Sequence, residues 1–216
     1  MTYSAVAWDI DGTLVDSEPL HLRSLLAVSA GLGTDLSDLA HDHFVGVNMN
    51  DVWAALKGRY PADLTRTDWI TRINAYYAAN THQLVQVPGA AETVRALAAR
   101  GIAQVAVSNS GRAVVDANLR AIGIADAFAF TLSLDDVPAG KPDPRPYLMA
   151  AKGLSLLPGD LLAVEDSPTG ALSAHRAGLG IAYLGHREPD FAVTRIGALG
   201  DILALMPRIM ERAHDL

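Results

Sequence analysis

The chain has no cysteine, which excludes disulfides, thiol chemistry and cysteine-ligated zinc. No apolar run approaches the ~20 residues that cross a bilayer. The start of the sequence carries no basic segment followed by an apolar one, the pattern that directs secretion. A cytoplasmic protein is therefore expected. Basic stripes and cationic amphipathic segments are missing too. The formal charge is −7, with acids and bases interspersed, which argues against nucleic acid and membranes as partners. HExxH and Walker A patterns are absent, and no GxGxxG follows a strand-like run. What remains is ordinary for a globular chain: half the residues are apolar and 19% are charged. A length of 216 residues allows one large or two small domains with a sizeable core.

The most informative stretch is AVAWDIDGTLVDSEP, residues 5–19. An apolar run delivers two carboxylates, Asp9 and Asp11, followed at once by Gly12 and Thr13. If the chain turns after Asp9, both acids converge on one pocket at a strand's C-terminal end, where open α/β sheets bind ligands. Two such carboxylates repel by roughly 3–4 kcal/mol at ~4–5 Å and an effective dielectric of ~20. A cation or a shared proton must compensate. The simplest reading is a divalent-metal site in which one acid also does chemistry.

Short apolar runs alternate with helical patterns along most of the chain. Strands are predicted at 5–9, 102–107, 128–132, 160–164 and 180–184, and their continuous apolarity suits a sheet covered on both faces. Helices are predicted at 87–100, 111–122, 144–152 and 168–177, with Gly101, Gly123, Gly153 and Gly178 just past their ends. This alternation predicts a doubly wound α/β fold around a parallel sheet. A final helix is predicted over 198–213. The stretch 17–86 breaks the rhythm, because one crossover does not need so many residues. Its spacing predicts helices at 20–31, 36–44, 48–59 and 66–80, with Trp53, Trp69, Tyr76 and Tyr77 as a small core.

Three later segments complete the pattern: AVSNSG at 106–111, GKPDP at 140–144 and LLAVEDSPTG at 161–170. Together with DIDGT, in this order, they resemble the four motifs of the haloacid dehalogenase-like (HAD) superfamily. The resemblance covers nearly the whole chain. It implies a Rossmann-like core, residues 1–16 and 87–216, and an inserted helical cap of the C1 type, residues 17–86.

The resemblance also implies roles. Asp9 is then the nucleophile that takes up the phosphoryl group. Asp11 is the general acid and later the general base, with its backbone carbonyl on the metal. Asp166 is the other direct carboxylate ligand, and Glu165 supports through water or an outer contact. The implied cofactor is Mg²⁺, which favours oxygen ligands. Ser108, with backbone N–H groups near Asn109, binds phosphoryl oxygens, and Lys141 neutralises charge. On the cap side, His21 matches a histidine near the active site, the run Gly46, Val47, Asn48 resembles the substrate-recognition loop, and Glu18, beside the linker, is placed to face the cleft. A packing histidine, an exposed acid and a plain helix cap at Asn48 stay open as alternatives.

Within the superfamily, dehalogenases lack the second acid, so Asp11 argues against them. Phosphonatases have a small residue there and a cap lysine, whereas the early insertion has only Lys57. P-type ATPases need membrane helices. A phosphatase or a phosphomutase remains. The runs DSEPLH, GKPDP and EDSPTG resemble the β-phosphoglucomutase and sugar-phosphatase branch. Mutases of that branch carry an arginine in the cap loop for a second phosphate. Here Met49 follows Gly46, Val47 and Asn48, although Arg59, Arg66 or Arg72 could substitute, and His21 leans toward the mutase. The expectation is a phosphatase of small phosphomonoesters, sugar or polyol phosphates first. A phosphomutase is the alternative, and a non-catalytic phospholigand-binding protein is a third. No sequence signature speaks to oligomeric state.

Overall fold

The computed structural model describes residues 3–39, 44, 49–187 and 189–206. In chain order the strands and α-helices are β1 (Ala5–Trp8), β2 (Val15–Asp16), α1 (Glu18–Gly31), α2 (Met49–Leu56), α3 (Arg66–Ala79), β3 (Val85–Gln86), α4 (Ala90–Ala99), β4 (Ala103–Val107), α5 (Arg112–Ala121), β5 (Phe130–Leu132), α6 (Arg145–Gly153), β6 (Leu161–Glu165), α7 (Pro168–Ala177), β7 (Gly180–Tyr183), β8 (Thr194–Arg195) and α8 (Ile202–Leu205).

Six strands form one sheet in the order β5-β4-β1-β6-β7-β8, and every pairing is parallel. The predicted doubly wound α/β fold is what this sheet and its flanking helices build. Period-two alternation explains the two layers. Val6, Trp8, Leu162 and Val164 face one side, packed with Val94 and Leu97 of α4 and Val115 and Leu119 of α5. Ala5, Ala7, Leu161 and Ala163 face the other, packed with Tyr147 and Ala150 of α6 and Ala171 and Ala174 of α7. Trp8, fully buried, still satisfies its indole: Nε1 donates to Gln104 Oε1 at 2.9 Å, and Gln104 Nε2 donates to the Val94 carbonyl at 2.9 Å.

The chain runs from β1 out through β4 to β5, then crosses back to β6 and continues to β7 and β8. The direction therefore reverses between β1 and β6, and their C-terminal ends bound the switch-point crevice. Between β2 and β3 lie helices α1, α2 and α3 with an apolar cluster of their own. It contains Leu25, Val52, Leu56, Trp69 and Ile73, with Trp53 packed against it. Tyr77 lies outside this cluster and packs with Leu20 and Val114 instead. The two ends of the stretch are clasped by antiparallel pairing of Val15 with Gln86 and Asp16 with Val85.

Local sequence sets the helix ends. Thr65 caps α3, its Oγ1 accepting from the Asp68 backbone N–H at 3.1 Å. Ser167 caps α7 in the same way, accepting from Gly170, and left-handed Gly178 ends that helix.

Some expectations need correction. Residues 36–39 are not helical: Asp35 accepts from the Ser37 backbone at 2.8 Å and from its hydroxyl at 3.0 Å, an Asx turn that competes with helix. Gly153 closes α6 rather than following it, and the left-handed residue there is Ser155. Gly153 has another reason to be glycine, since a Cβ would strike the Phe130 ring. The predicted terminal helix is a 3₁₀ turn, Leu199–Asp201, plus the short α8, and residues beyond 206 lie outside the described part. Strand β8 carries no period that its two residues could reveal.

Leu162 is fully buried in β6, whereas Leu157 is 73% exposed. Leu162→Ala should lower unfolding free energy by about 2–5 kcal/mol. Leu157→Ala should change it by less than about 0.5 kcal/mol. Urea unfolding followed by circular dichroism reads both, and equal effects would contradict the assigned core.

Candidate active site

Each of the four sequence segments ends at the same edge of the sheet. Asp9 follows β1, Ser108 follows β4, Lys141 lies between β5 and α6, and Glu165 and Asp166 lie at and just past the end of β6. Parallel strands put all these ends on one side, so residues far apart in sequence converge.

Lys141 is the centre of the buried half. Its Nζ donates to Asp9 Oδ1 at 2.7 Å and to Glu165 Oε1 at 2.7 Å, with all three side chains buried. The Tyr147 hydroxyl donates to the same Glu165 oxygen, and the Tyr147 ring lies 5.2 Å from Nζ. Gly170 leaves room for this carboxylate, because a Cβ there would fall on Glu165. Gly12 does the same for Asp166 and also takes a left-handed φ of +85°. Thr13 Oγ1 donates to Asp166 Oδ1 at 3.3 Å.

Asp9, Glu165 and Asp166 each offer one oxygen, and these oxygens lie within 4.8 Å of one another. Asp9 Oδ2 and Glu165 Oε2 are buried and find no hydrogen-bond partner among the described residues. One ammonium thus faces three carboxylates. Burial pushes Asp9 up to about 7 despite Lys141, with Glu165 and Asp11 adding to the rise. Burial likewise pushes Asp166 up to about 7, helped by the charge of Asp9. Glu165 is raised by burial against the pull of Lys141. Burial alone would lower Lys141, but Asp9 and Glu165 hold its ammonium well above the usual lysine range. All-oxygen donors, unpartnered carboxylate oxygens and surplus negative charge fit a hard divalent cation.

Asp11 belongs to the other half. Its Oδ1 accepts from Ser17 Oγ at 2.7 Å and Asn118 Nδ2 at 3.1 Å. Its Oδ2 accepts from Ser108 Oγ at 2.9 Å and Ser110 Oγ at 2.8 Å. His21 Nε2 stands 3.7 Å from Oδ1. Burial would raise this carboxyl, but the nearby His21 imidazole and the hydrogen bonds from Ser17 and Ser110 outweigh it and hold it below the usual range. In this setting Asp11 is an anion, ready to accept a proton. Donating one requires that it first be loaded and shed some of these contacts.

Asn109 cross-links the loop after β4 to the loop that carries Lys141. Its Oδ1 accepts from the Lys141 backbone N–H at 2.7 Å, and its Nδ2 donates to the Lys141 carbonyl at 3.0 Å. Of the positions expected on the insertion, His21 reaches the cleft through Asp11, and Glu18 is the exposed first residue of α1. Gly46, Val47 and Asn48 lie outside the described residues. Sequence reading missed Ser17, Ser110, Asn118 and Tyr147. Asn118 did leave a signal, a polar residue in step with Val114 and Val115 on the apolar face of α5.

Residues 3–178 match the family model of haloacid dehalogenase-like hydrolases. Hexitol phosphatase A of Escherichia coli K12 is 32% identical over 173 residues, covering 79% of this chain and 78% of its own. A phosphoglycolate phosphatase of Rhodospirillum rubrum is 32% identical over 207 residues, covering 90% and 85%. The crystal structure of CbbY from Rhodobacter sphaeroides in complex with phosphate aligns with a TM-score of 0.86 at 24% identity, over 95% of this chain and 99% of that one, and so shares the fold. The motifs read from the sequence and these matches agree: the chain belongs to the haloacid dehalogenase-like hydrolase family.

Proposed function

We propose that this hydrolase is a Mg²⁺-dependent phosphatase of small phosphomonoesters, sugar or polyol phosphates first, working through a phosphorylated Asp9. The class is an HAD-type phosphoric monoester hydrolase. The observation that carries the reading is Asp9 itself. One of its oxygens is fixed by Lys141, while Oδ2 is buried and unpartnered among the described residues beside Glu165 and Asp166.

In the proposed reaction Asp9 Oδ2 attacks phosphorus, and the bond to the leaving oxygen breaks. Asp11, once it has taken up a proton from solvent, gives that proton to the leaving oxygen, then takes one from the water that attacks the phosphorylated Asp9. Phosphate leaves and both carboxyl groups are regenerated. Ser108, backbone N–H groups near Asn109, and Lys141 bind the phosphoryl oxygens. Asp9, the Asp11 backbone carbonyl and Asp166 would hold the metal, with Glu165 in support. When bound, Mg²⁺ supplies charge neutralisation and orientation of the phosphoryl group.

The same reading divides the chain into a core, 1–16 with 87–216, and a cap, 17–86. A helical cap over the crevice favours small esters and excludes water. Glu18, His21, Gly46, Val47 and Asn48 are its proposed substrate-side residues. The names of two relatives, a hexitol phosphatase and a phosphoglycolate phosphatase, support small phosphorylated substrates.

A mutase would need a cap cation for a second phosphate. Met49 packs against the apolar cluster of the insertion, and the Arg59 guanidinium is paired with Asp38 at 2.6 and 2.7 Å. Arg66 is hydrogen-bonded to Asn50. With Met49, Arg59 and Arg66 so engaged, Arg72, exposed on α3, is the remaining candidate of the three arginines, and the reading favours hydrolysis.

Metal removal tests the site. EDTA should abolish turnover of p-nitrophenyl phosphate and Mg²⁺ should restore it. Ca²⁺ should bind yet support little turnover, because its larger, looser shell misplaces nucleophile and phosphate. Full activity in metal-free buffer would contradict the proposed cluster.

A product assay tests the reaction type. With β-glucose 1-phosphate and a trace of the 1,6-bisphosphate, a panel of small phosphoesters alongside, free phosphate should accumulate without glucose 6-phosphate. Efficient isomerisation with little free phosphate would overturn the phosphatase reading.

A further inference from the structure

Helices α1 and α3 meet α5 at a small apolar contact formed by Leu20, Tyr77 and Val114. A line of polar atoms runs through it. The Tyr77 hydroxyl donates to Asn118 Oδ1 at 2.7 Å, and Asn118 Nδ2 donates to Asp11 Oδ1 at 3.1 Å. Both side chains are fully buried. The Tyr77 ring also packs on His21, with centroids 4.6 Å apart, and His21 approaches the same Asp11 oxygen. None of the roles assigned above uses Asn118 or Tyr77.

A buried amide costs free energy unless its donors and acceptor are paired. Asn118 stands in step with Val114 and Val115 on α5, where an aliphatic side chain would meet no such demand. What the amide adds is direction. Its two ends differ: one accepts, the other donates. The Asp11 carboxylate can only accept, so it selects Nδ2, and the Tyr77 hydroxyl donates to Oδ1 and secures that orientation. A flipped amide would set Oδ1 against Asp11, oxygen to oxygen.

We propose that Asn118, held in place by Tyr77, is a positioning residue for Asp11 alongside the serine hydroxyls, helping to set the rotamer from which that carboxyl exchanges protons with the leaving oxygen and the hydrolytic water. Tyr77 comes from the insertion and Asn118 from the sheet layer, so the setting needs α3 and α5 packed as they are. The inference rests on the acid–base reading of Asp11.

The test uses the full chain with Asn118→Leu, Tyr77→Phe, the double variant and Asp11→Asn. Single-turnover release of the leaving group is measured with Mg²⁺ on β-glycerol phosphate and on p-nitrophenyl phosphate. The first has a poor alkoxide leaving group; the second hardly needs a proton. Asn118→Leu should slow β-glycerol phosphate at least about tenfold more than p-nitrophenyl phosphate, a fraction of what a full acid–base group supplies. The half-saturating concentrations should stay within about threefold, because binding groups are untouched. Tyr77→Phe should shift the ratio in the same direction by less, and should add nothing in the Asn118→Leu background. A merely structural role would lower both rates alike, and equal losses overturn the proposal. If Asn118→Leu does not fold, Tyr77→Phe alone decides by the same ratio. Selective loss in Asp11→Asn without selectivity in the other variants also overturns it. If Asp11→Asn itself shows no selectivity, the acid–base reading fails and the proposal falls with it.

Discussion

The ammonium of Lys141 sits 2.7 Å from one carboxylate just past β1 and from another at the end of β6, so a loop charge bridges the crevice between the two strands. Burial makes this bridge decisive. Away from water, three acids at one sheet edge would repel or protonate, and one cation offsets only part of their charge. The lysine keeps Asp9 oriented, fixes one oxygen of Glu165 with help from Tyr147, and leaves Asp9 Oδ2 and Glu165 Oε2 facing inward without partners among the described residues. The remaining negative charge makes the cluster a fit for a divalent cation. The glycines at 12 and 170 follow from the same constraint, because carboxylates packed this closely leave no space for a Cβ beside them.

The two acids of the DxD pair are separated by environment more than by sequence. Asp9 lies in the buried half and is pushed upward; Asp11 is surrounded by hydroxyl and amide donors with the His21 imidazole nearby, and is held down. Groups whose surroundings drive them apart are suited to different tasks. The proposed nucleophile requires a free lone pair and a fixed position: Lys141 fixes Oδ1, and Oδ2 has no partner among the described residues. The proposed acid–base group requires a controlled proton, and Ser17, Ser108, Ser110 and Asn118 all donate to its carboxylate.

Much of this was legible in the sequence, for a physical reason. Asp9, Ser108 and Glu165 each sit at the end of an apolar run, and a parallel sheet gathers such ends at one edge. Lys141 and Asp166 follow from the motifs around them. What escaped is set by helix register and long-range pairing. Tyr77 finds Asn118 41 residues away, and Asn118 finds Asp11 107 residues away, so neither contact leaves a local pattern. Tyr147 looks like an ordinary apolar position of α6 until its hydroxyl meets Glu165. The helix expected over 36–44 fails at 36–39 because one aspartate side chain competes for the backbone, a choice that periodicity does not register.

The central claim is that Asp9 carries the phosphoryl group. Acid quenching during turnover of p-nitrophenyl phosphate with Mg²⁺, followed by peptide mass spectrometry, tests it most directly. The account predicts a mass increment of one phosphoryl group on the peptide containing Asp9, localised to that residue and absent from Asp9→Asn. Active turnover with a phosphoryl group trapped on a different residue would contradict it.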